Sequence, residues 1–311
     1  MRVLVTGAHG FVGQALCKQL IALDYEVVRG VRIAKHADEW AVGDIDSRTN
    51  WSDALRGCDV VVHLAARVHQ MNEKKQDQLA QYYRTNVDGT ANLAKQAAAF
   101  GVKRFIFLSS IKVNGESTPP GAAFKASDEP RPEDPYGVSK FQAESCLVQI
   151  AEASGMAWVV IRSPLIYGPK VKGNFATMMR WLRLGVPLPL AGVTQNRRSF
   201  IALGNLTDFI AVCSTHPLSV NQVFLASDGV ALSTAELLKK MAQAMGRKCR
   251  LFYLPMAWLA WGARLAKRQA IYERLCGSLE VDMQDTQRTL GWSPPLSIEQ
   301  GLELAARGDA K

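Results

Sequence analysis

The sequence predicts an α/β fold: a doubly wound parallel sheet flanked by helices, followed by a smaller α/β substrate-binding domain. Three observations support this prediction. The chain opens with an apolar run, 3–5, which a glycine-rich turn separates from residues at helical spacing. Two later apolar runs, 59–66 and 104–108, end in small residues and have the composition of buried parallel strands. Strand-like runs that alternate with helical stretches indicate βαβ units.

The glycine-rich turn has the spacing of a phosphate-binding loop. Gly7, Gly10 and Gly13 follow the pattern G-x-x-G-x-x-G, one residue wider at its start than the G-x-G-x-x-G fingerprint. Gly7 permits the sharp turn, Gly10 lets the backbone approach a pyrophosphate, and Gly13 lets the helix lie on the strand. The free N–H groups of that helix point at the anion. The stretch therefore predicts a dinucleotide site.

The end of the second strand, Tyr25 to Arg32, bears on which dinucleotide binds. An acidic side chain there binds the ribose hydroxyls of NAD, whereas a basic one accommodates the 2′-phosphate of NADP. The strand ends without an acid, and Arg32 and Lys35 are candidates for the phosphate. The sequence therefore favours NADP and leaves NAD open. Asp44, at the expected end of a third strand over 43–45, is a candidate acceptor for the adenine amino group.

The fourth strand, 59–66, ends in residues that leave room for a dinucleotide. His63 within it is predicted to be a core histidine bonded to backbone, and His69 beyond it a loop residue. The residues expected against the cofactor are Leu64, Ala65 and Ala66.

Three further stretches follow in order. A long helix is expected over 78–100, and the strand over 104–108 ends at Ser109 and Ser110. The carboxyl end of such a strand is where an open parallel sheet places ligand chemistry. The loop over 115–134 is long enough to cover a substrate.

A tyrosine and a lysine four residues apart are the candidates for proton transfer. Asp134 is a plausible N-cap and Pro135 suits the first turn of the next helix, which places Tyr136 and Lys140 on one face, one turn apart. Proton transfer near neutrality requires the tyrosine pKa to fall by about 3 units from its usual value near 10. A lysine ammonium and an oxidised nicotinamide both act in that direction.

With these features in order, the sequence resembles the extended short-chain dehydrogenase/reductase family, and within it the UDP-glucose 4-epimerase-like sugar-nucleotide enzymes. The resemblance covers nearly the whole chain. Its motifs are Thr6-Gly7-x-x-Gly10-x-x-Gly13, His63-Leu-Ala-Ala66, Asn86-Val-Asp-Gly-Thr90, Leu108-Ser-Ser110, Tyr136-Gly-Val-Ser-Lys140, Arg162-Ser-Pro-Leu-Ile-Tyr-Gly-Pro169, Arg198-Ser-Phe-Ile201 and Leu290-Gly-Trp292.

The resemblance implies a role for each matching residue. Tyr136 acts as general acid or base while a hydride passes between a sugar carbon and nicotinamide C4. Lys140 modulates Tyr136 and binds the nicotinamide ribose. Ser110 orients the substrate oxygen, and Arg198 holds the nucleotide diphosphate. Further contacts are predicted with the cofactor for Phe11, Val12, Ile45, Asn86 and Pro164, and with the substrate for Asn174.

The resemblance also implies a domain organisation. Residues 1–169 form a dinucleotide-binding Rossmann domain, to which a segment near 199–226 returns. Residues 170–311 form mainly the sugar-nucleotide-binding domain. The family implies a homodimer through the helices over 78–100 and 136–153.

Residues 251–276 depart from the polar, arginine-bearing stretch expected in an epimerase. They predict an amphipathic helix that is too short and too charged to span a bilayer and that packs on the substrate domain rather than on a membrane. The residues that define it are Trp258, Trp261, Leu265, Arg264, Lys267 and Arg268.

Composition narrows the partners and the compartment. The chain has 37 basic and 28 acidic residues, a formal net charge of +9, without a basic run of four or a basic and aromatic alternation, so nucleic acid is not expected as a partner. Six scattered cysteines without C-x-x-C predict reduced thiols and no metal site. The N-terminal apolar run is shorter than that of a signal peptide, so no signal peptide is expected. A cytoplasmic enzyme without a membrane span is expected.

The leading functional hypothesis is an NADP-preferring 4-keto reductase of a UDP-4-keto-6-deoxy-N-acetylhexosamine, serving surface polysaccharide. Its motivation is the basic strand end, because a reductase exchanges its cofactor at each turnover. The alternative is a UDP-hexose or UDP-N-acetylhexosamine 4-epimerase, which retains NAD. A catalytically silent NADP-sensing protein is the third hypothesis, disfavoured because both Tyr136 and Lys140 are present.

Overall fold

The structure is a computed structural model that describes residues 1–68 and 75–308; the prediction for His69 lies outside these residues. Within them, a parallel sheet of seven strands has the order β3-β2-β1-β4-β5-β6-β9, and two further strands, β7 and β8, pair in parallel beside it. The predicted doubly wound α/β class is confirmed. The strands are β1 Arg2–Thr6, β2 Glu26–Val31, β3 Glu39–Ala41, β4 Val60–His63, β5 Arg104–Ser110, β6 Ala157–Ser163, β7 Leu165–Tyr167, β8 Phe200–Ala202 and β9 Gln222–Leu225.

Helices cover both faces of the sheet. Successive side chains of a strand point to opposite faces, and β1 shows the result: Val3 and Val5 pack with the helices of one face, while Leu4 packs with those of the other. The helices are α1 Phe11–Ala22, α2 Ser52–Leu55, α3 Lys75–Tyr82, α4 Gly89–Ala99, α5 Pro135–Ser154, α6 Gly173–Arg183, α7 Leu203–Thr215, α8 Thr234–Ala244, α9 Met256–Leu265, α10 Gln269–Cys276, α11 Gln284–Leu290 and α12 Ile298–Gly308.

Two predicted elements differ from those observed. The third strand was expected over 43–45, but β3 ends at Ala41, and Val42 still donates its N–H to Val31. The predicted long helix contains a π-helical segment, Tyr83–Asp88, between α3 and α4. Sequence periodicity does not reveal this segment, because a π-turn shifts the helical register by one residue without any composition signal of its own.

The C-terminal half contributes to two packed regions. Residues of β8 and α7, and Phe224 of β9, pack on one face of the large sheet. A separate apolar cluster joins α6, α8 and α12 with parts of 188–202. The domain boundary at residue 169 and the returning segment near 199–226 stay predictions.

The segment 251–276 does not form the single core-packed helix that its pattern predicted. It forms two short helices, α9 and α10, separated at Lys267, whose φ is +52°. Neither helix contains a fully buried residue. Trp258 and Trp261 stay exposed, whereas Met256, Leu259 and Leu275 pack in part on the C-terminal apolar cluster, so the expected packing on the substrate domain is only partial.

No helix in the described ranges is both long and apolar enough to cross a membrane. All six cysteines lie within the described residues, and each is a free thiol. No group of metal-ligating side chains is found in residues 1–68 and 75–308.

Candidate active site

The glycine turn between β1 and α1 has the geometry of an anion cradle. Gly7 has a φ of +67°, a left-handed conformation that favours glycine, and Gly10 donates its N–H to the Gly7 carbonyl at 2.8 Å. A Cβ atom at Gly13 would lie 2.2 Å from the Gly7 oxygen, so the helix can lie this close to the strand only with glycine there. Helix α1 begins at Phe11 and directs its unpaired N–H groups at the turn.

A groove of about 740 Å³ lies along the carboxyl ends of the first strands. Its lining is mainly small or apolar, and the Cβ-free turn at Gly7 opens into it, so a dinucleotide fits there. The predicted residues that line it are Gly7, Gly10, Arg32, Asp44, Ile45, Leu64, Ala65 and Ala66. The other predicted cofactor residues are not in the described lining: Phe11, Val12, Gly13, Asn86, Tyr136, Lys140 and Pro164.

The nucleotide end of the groove contains two ion pairs. Arg32 Nε lies 2.8 Å from Asp44 Oδ1, and both side chains are more than 70% exposed, with values of 76% and 71%. The buried Glu39 accepts from the N–H groups of Lys35 and His36 and lies 2.6 Å from His9 Nε2. These hydrogen bonds, the one from Lys35 foremost, lower the pKa of Glu39 to about 2. Sequence reasoning missed Glu39, because its side-chain partner, His9, lies in the glycine turn 30 residues away.

His63 is a core residue, but its partners are side chains rather than the predicted backbone groups. Thr90 Oγ1 donates to the Asn86 carbonyl at 2.6 Å, so it accepts from His63 Nε2 at 3.0 Å. His63 Nδ1 then accepts from Thr6 Oγ1 at 2.7 Å, and that hydroxyl accepts the N–H groups of the two residues after His63. Burial lowers the pKa of His63 to about 3. The network therefore holds one neutral tautomer and excludes His63 as a proton donor near neutrality.

Asn86 extends this network to the helix that carries the tyrosine. Both of its amide N–H groups are used within the protein, one at the Arg67 carbonyl and one at Ser139 Oγ, 3.0 Å away. Ser139 Oγ donates in turn to the Tyr136 carbonyl at 2.8 Å. Asn86 is 1% exposed. These hydrogen bonds tie Asn86 to the start of α5, and the cofactor contact that the sequence predicted for Asn86 stays a prediction.

Helix α5 begins as its sequence predicted. Asp134 is the N-cap and accepts from the Gly137 N–H at 2.6 Å, with Pro135 in the first turn. Lys112 Nζ lies 2.5 Å from the other Asp134 oxygen. This capped turn fixes Tyr136 and, one turn later, Lys140 beside the end of β5.

Burial dominates the electrostatics of this pair. Lys140 is 1% exposed, and its Nζ lies 3.7 Å from the Phe107 ring centroid. Burial lowers the pKa of Lys140 to about 7. Desolvation, with smaller effects of Asp134 and Tyr82, raises the pKa of Tyr136. The chain's own groups therefore keep Tyr136 as a phenol, a proton donor at Oη. The lowered value that proton transfer requires includes the charge of an oxidised nicotinamide and stays a prediction.

The lowered pKa of Lys140 predicts a pH-dependent stability. Between about pH 7 and the unfolded pKa of about 10.4, the unfolded chain holds a proton that the folded chain has released, so stability rises with pH in this window. Below pH 7 both states are protonated, and the folded state bears the full cost of the buried ammonium. We expect Lys140→Met to be more stable than the parent at pH 6, with the difference shrinking toward pH 10. Thermal unfolding midpoints from pH 6 to 10 measure this.

The exposed Lys95→Met is the matched control. Its effect on the unfolding midpoint should stay constant over the same range, since an exposed side chain stays in water in both the folded and the unfolded state. A difference between parent and Lys140→Met that does not change with pH would contradict the prediction.

Ser110 lies at the last position of β5, paired in register with Ser163 of β6. Its hydroxyl accepts from the Lys112 N–H at 3.3 Å and is half-buried. Directly before Ser163, Arg162 forms a buried ion pair with Glu144 of α5, with its Nη2 2.7 Å from Glu144 Oε2. Arg162 also donates to Asn114 Oδ1 at 3.1 Å. This pair ties β6 to α5 and to the loop after Ser110.

Two further residues, Arg198 and Asn174, are predicted to contact the substrate. Arg198 is half-buried and donates from Nη1 to the Gly277 carbonyl at 3.1 Å. Burial and the neighbouring Arg274 guanidinium lower the pKa of Arg198. Sequence reasoning did not single out Arg274 as a neighbour of Arg198. Asn174 is exposed in the first turn of α6 and forms no hydrogen bond with Ser110 or Arg198 in the described residues.

Comparison with known proteins identifies relatives along the whole chain. Residues 3–225 match the model of the NAD dependent epimerase/dehydratase family. A protein of Vibrio cholerae named UDP-glucose 4-epimerase is 45% identical over 309 residues, which are 98% of this chain and 94% of that protein.

Two further relatives are more distant. An Escherichia coli O157:H7 protein named N-acetyl-alpha-D-glucosaminyl-diphospho-ditrans,octacis-undecaprenol 4-epimerase is 27% identical over 322 residues, 97% of this chain and 93% of that one. The solved structure of MoeE5 in complex with UDP-glucuronic acid and NAD has a TM-score of 0.79 at 24% identity and covers 99% of this chain and 98% of that chain. The structural likeness confirms the fold.

Proposed function

Because the chain belongs to the NAD-dependent epimerase/dehydratase family, it is an NAD(P)-dependent enzyme of nucleotide sugars, and we propose that it is a 4-epimerase of a UDP-hexose or UDP-N-acetylhexosamine. The observation that carries the proposal is the capped first turn of α5, which fixes Tyr136 and Lys140 at the sheet edge that also holds the dinucleotide groove. The sequence favoured a 4-keto reductase. The names of two relatives, both 4-epimerases, support the alternative better.

Each residue of the site has its own role in the proposed reaction. The glycine turn and the N-terminus of α1 hold the pyrophosphate of a dinucleotide. When bound, the nicotinamide accepts and returns a hydride. An oxidised nicotinamide, when bound, would supply positive charge that favours the Tyr136 phenolate. The phenolate Oη takes the proton of the C4 hydroxyl during oxidation, and the resulting phenol returns a proton to O4 after the sugar has turned over. Ser110 orients that oxygen, and Lys140 places positive charge near the phenol.

Arg198 and Arg274 bind the diphosphate of the substrate in this proposal. Arg274 lies close enough to Arg198 to affect its pKa, and a diphosphate would accept charge-assisted hydrogen bonds from both guanidinium groups. The names of the two relatives indicate a sugar that is attached to uridine diphosphate in one and to a polyprenol diphosphate in the other. The two substrates therefore share a diphosphate.

The proposal is tested by identifying the nucleotide that the purified protein holds and by one assay. The protein is denatured anaerobically, and the released nucleotide is identified by mass spectrometry. The native protein is then incubated with UDP-glucose or UDP-N-acetylglucosamine without added cofactor, and the sugar products are followed by NMR. Stoichiometric NAD with formation of the C4 epimer supports the proposal. An empty protein that converts neither sugar overturns it.

A 4-keto reductase remains the second candidate because of one observation. The end of β2, at Val31 and Arg32, carries no carboxylate, and the nearby Glu39 is occupied by His9 and backbone N–H groups. This pattern favours the 2′-phosphate of NADP. Consumption of NADPH with a UDP-4-keto-6-deoxy-N-acetylhexosamine, with tighter binding of NADPH than of NADH, would favour the reductase over the epimerase.

The diphosphate role of Arg198 gives a prediction for binding. Arg198→Met removes charge-assisted hydrogen bonds worth about 1.5–3 kcal/mol, so we expect KM for the UDP-sugar to rise about 10- to 100-fold while kcat changes little. Steady-state kinetics measure both constants. Arg197→Met is the matched control, because Arg197 pairs with Glu236 at the surface. An unchanged KM in Arg198→Met, or an equal rise in both variants, would contradict the assignment.

We also propose a cytoplasmic homodimer. Six free thiols are compatible with a reducing compartment. Helices α4 and α5 lie side by side on one face of the sheet, as the family's dimer requires. Sedimentation analysis of the purified protein gives the oligomeric state.

A further inference from the structure

The α9–α10 pair, residues 256–276, leaves its apolar residues in solvent. Trp258 and Trp261 are each 67% exposed, and Leu265 is 64% exposed. At spacings of three and four residues along α9, these side chains share one face of the helix. A helix with such a stripe normally buries it against the core. Here that face points outward.

The opposite edge of the pair anchors it to the protein. Met256 and Leu259 of α9, with Leu275 of α10, pack in part against the C-terminal apolar cluster. The pair is therefore a fixed platform rather than a loose segment. Tyr253, 71% exposed, and Ile271, 42% exposed, extend the apolar surface beyond the stripe.

Positive charge is concentrated around this platform. Residues 247–276 contain seven lysines and arginines and one acidic residue, so this tenth of the chain carries +6 of the formal net charge of +9. Arg264, Lys267 and Arg268 are exposed beside the apolar stripe. None of the three forms an ion pair with another described residue.

We infer that the α9–α10 pair docks on an anionic membrane surface. Tryptophan and leucine side chains enter the boundary between headgroups and acyl chains, while lysine and arginine at their flanks meet the lipid phosphates. The helices have 10 and 8 residues, so they lie in the plane of the surface.

Charge and chemistry favour this occupant over two others. A second copy of the chain on the same face would bring two clusters of +6 together, which repel each other. A single-stranded nucleic acid needs π-faces on which its bases stack, whereas Leu265 and Ile271 make the outer surface partly aliphatic. A lipid surface offers an apolar layer and negative charge at once.

The inference is independent of the proposed reaction, but the platform adjoins the substrate end of the site. Gly277, directly after α10, accepts a hydrogen bond from Arg198. Arg274 is therefore left out of the experiment below, because it belongs to the diphosphate site. Docking would hold the mouth of that site beside the lipid headgroups.

The experiment is co-sedimentation of the full-length protein with vesicles. One vesicle preparation is phosphatidylcholine alone, and the other contains an added phosphatidylglycerol fraction. We expect binding to the anionic vesicles that high salt abolishes. Trp258→Ala with Trp261→Ala should weaken that binding about tenfold, and Arg264→Gln with Lys267→Gln and Arg268→Gln about 100-fold.

Matched variants elsewhere on the surface control for apolar area and charge. Leu184→Ala with Leu218→Ala, and Lys18→Gln with Arg56→Gln and Lys95→Gln, should bind like the parent. Thermal unfolding of every variant confirms its fold, since all these side chains are exposed.

Each other result overturns the inference. These results are no binding to anionic vesicles at millimolar lipid, equal binding to both preparations, and equal losses in platform and control variants. Self-association that the tryptophan variant abolishes, without vesicle binding, would assign the platform to a second copy. Retention of single-stranded nucleic acid without vesicle binding would assign it to that ligand.

Discussion

Tyr136→Phe is expected to lower kcat by about 10²- to 10⁴-fold, because general acid–base catalysis by a positioned side chain contributes a factor of this size. The substitution removes one oxygen and keeps the ring, whose edge faces Tyr82 at a centroid distance of 6.0 Å. The capped first turn of α5 does not depend on the hydroxyl. Cofactor binding and the unfolding midpoint should therefore remain as in the parent. Steady-state turnover and a cofactor titration on the same preparation measure both.

Tyr83→Phe is the control for this variant. It deletes the same group from a half-buried tyrosine in the π-helical segment, which has no part in the proposed proton transfer. It should keep turnover within a few-fold of the parent. Full activity in Tyr136→Phe would remove Tyr136 from the reaction, and a loss of turnover together with cofactor binding would indicate a structural role instead.

Arg162→Leu is expected to cost about 3–5 kcal/mol in the free energy of unfolding, because it leaves the Glu144 carboxylate buried without its charged partner. The side chains are 4% and 5% exposed, and Arg162 Nε and Nη2 both donate to the carboxylate. Urea unfolding curves measure the loss. Since the pair joins β6 to the helix that bears Tyr136, the variant should also lose turnover near its unfolding midpoint.

Two comparisons separate burial from charge in this result. The double variant Arg162→Leu with Glu144→Leu should recover much of the stability, because an apolar pair pays no desolvation cost. Arg56→Leu, whose partner Asp53 is 78% exposed, should cost less than about 1 kcal/mol. A small loss in Arg162→Leu, equal to that in Arg56→Leu, would contradict the assigned importance of the buried pair.

The sequence alone determined the features that depend on near neighbours. The spacing of Gly7, Gly10 and Gly13 gave the cradle, because strand, turn and helix follow one another within 13 residues. Asp134 and Pro135 gave the start of α5, since an N-cap bonds to a residue three positions later. Apolar runs predicted the parallel sheet, because strands buried on both faces have a recognisable composition.

Features that join distant segments needed the tertiary structure. One hydrogen-bond network joins His63 to Thr6, 57 residues before it, and to Thr90, 27 residues after it. These side-chain partners determine the tautomer of His63, which no local pattern indicates. The same holds for Glu39 with His9. Burial also decides the pKa values of Tyr136 and Lys140, because a local pattern does not show which side chains are desolvated.

Which face of the α9–α10 pair packs on the protein also could not be predicted from the sequence. Its sequence determined that the helices are amphipathic and basic, because composition and spacing are local properties. Which face packs depends on whether other elements reach it, and the C-terminal cluster is already filled by α6, α8 and α12. Trp258 and Trp261 therefore remain in solvent. Only the packed structure decides which apolar face is core and which is surface, because that choice is set by the space that the rest of the chain leaves open.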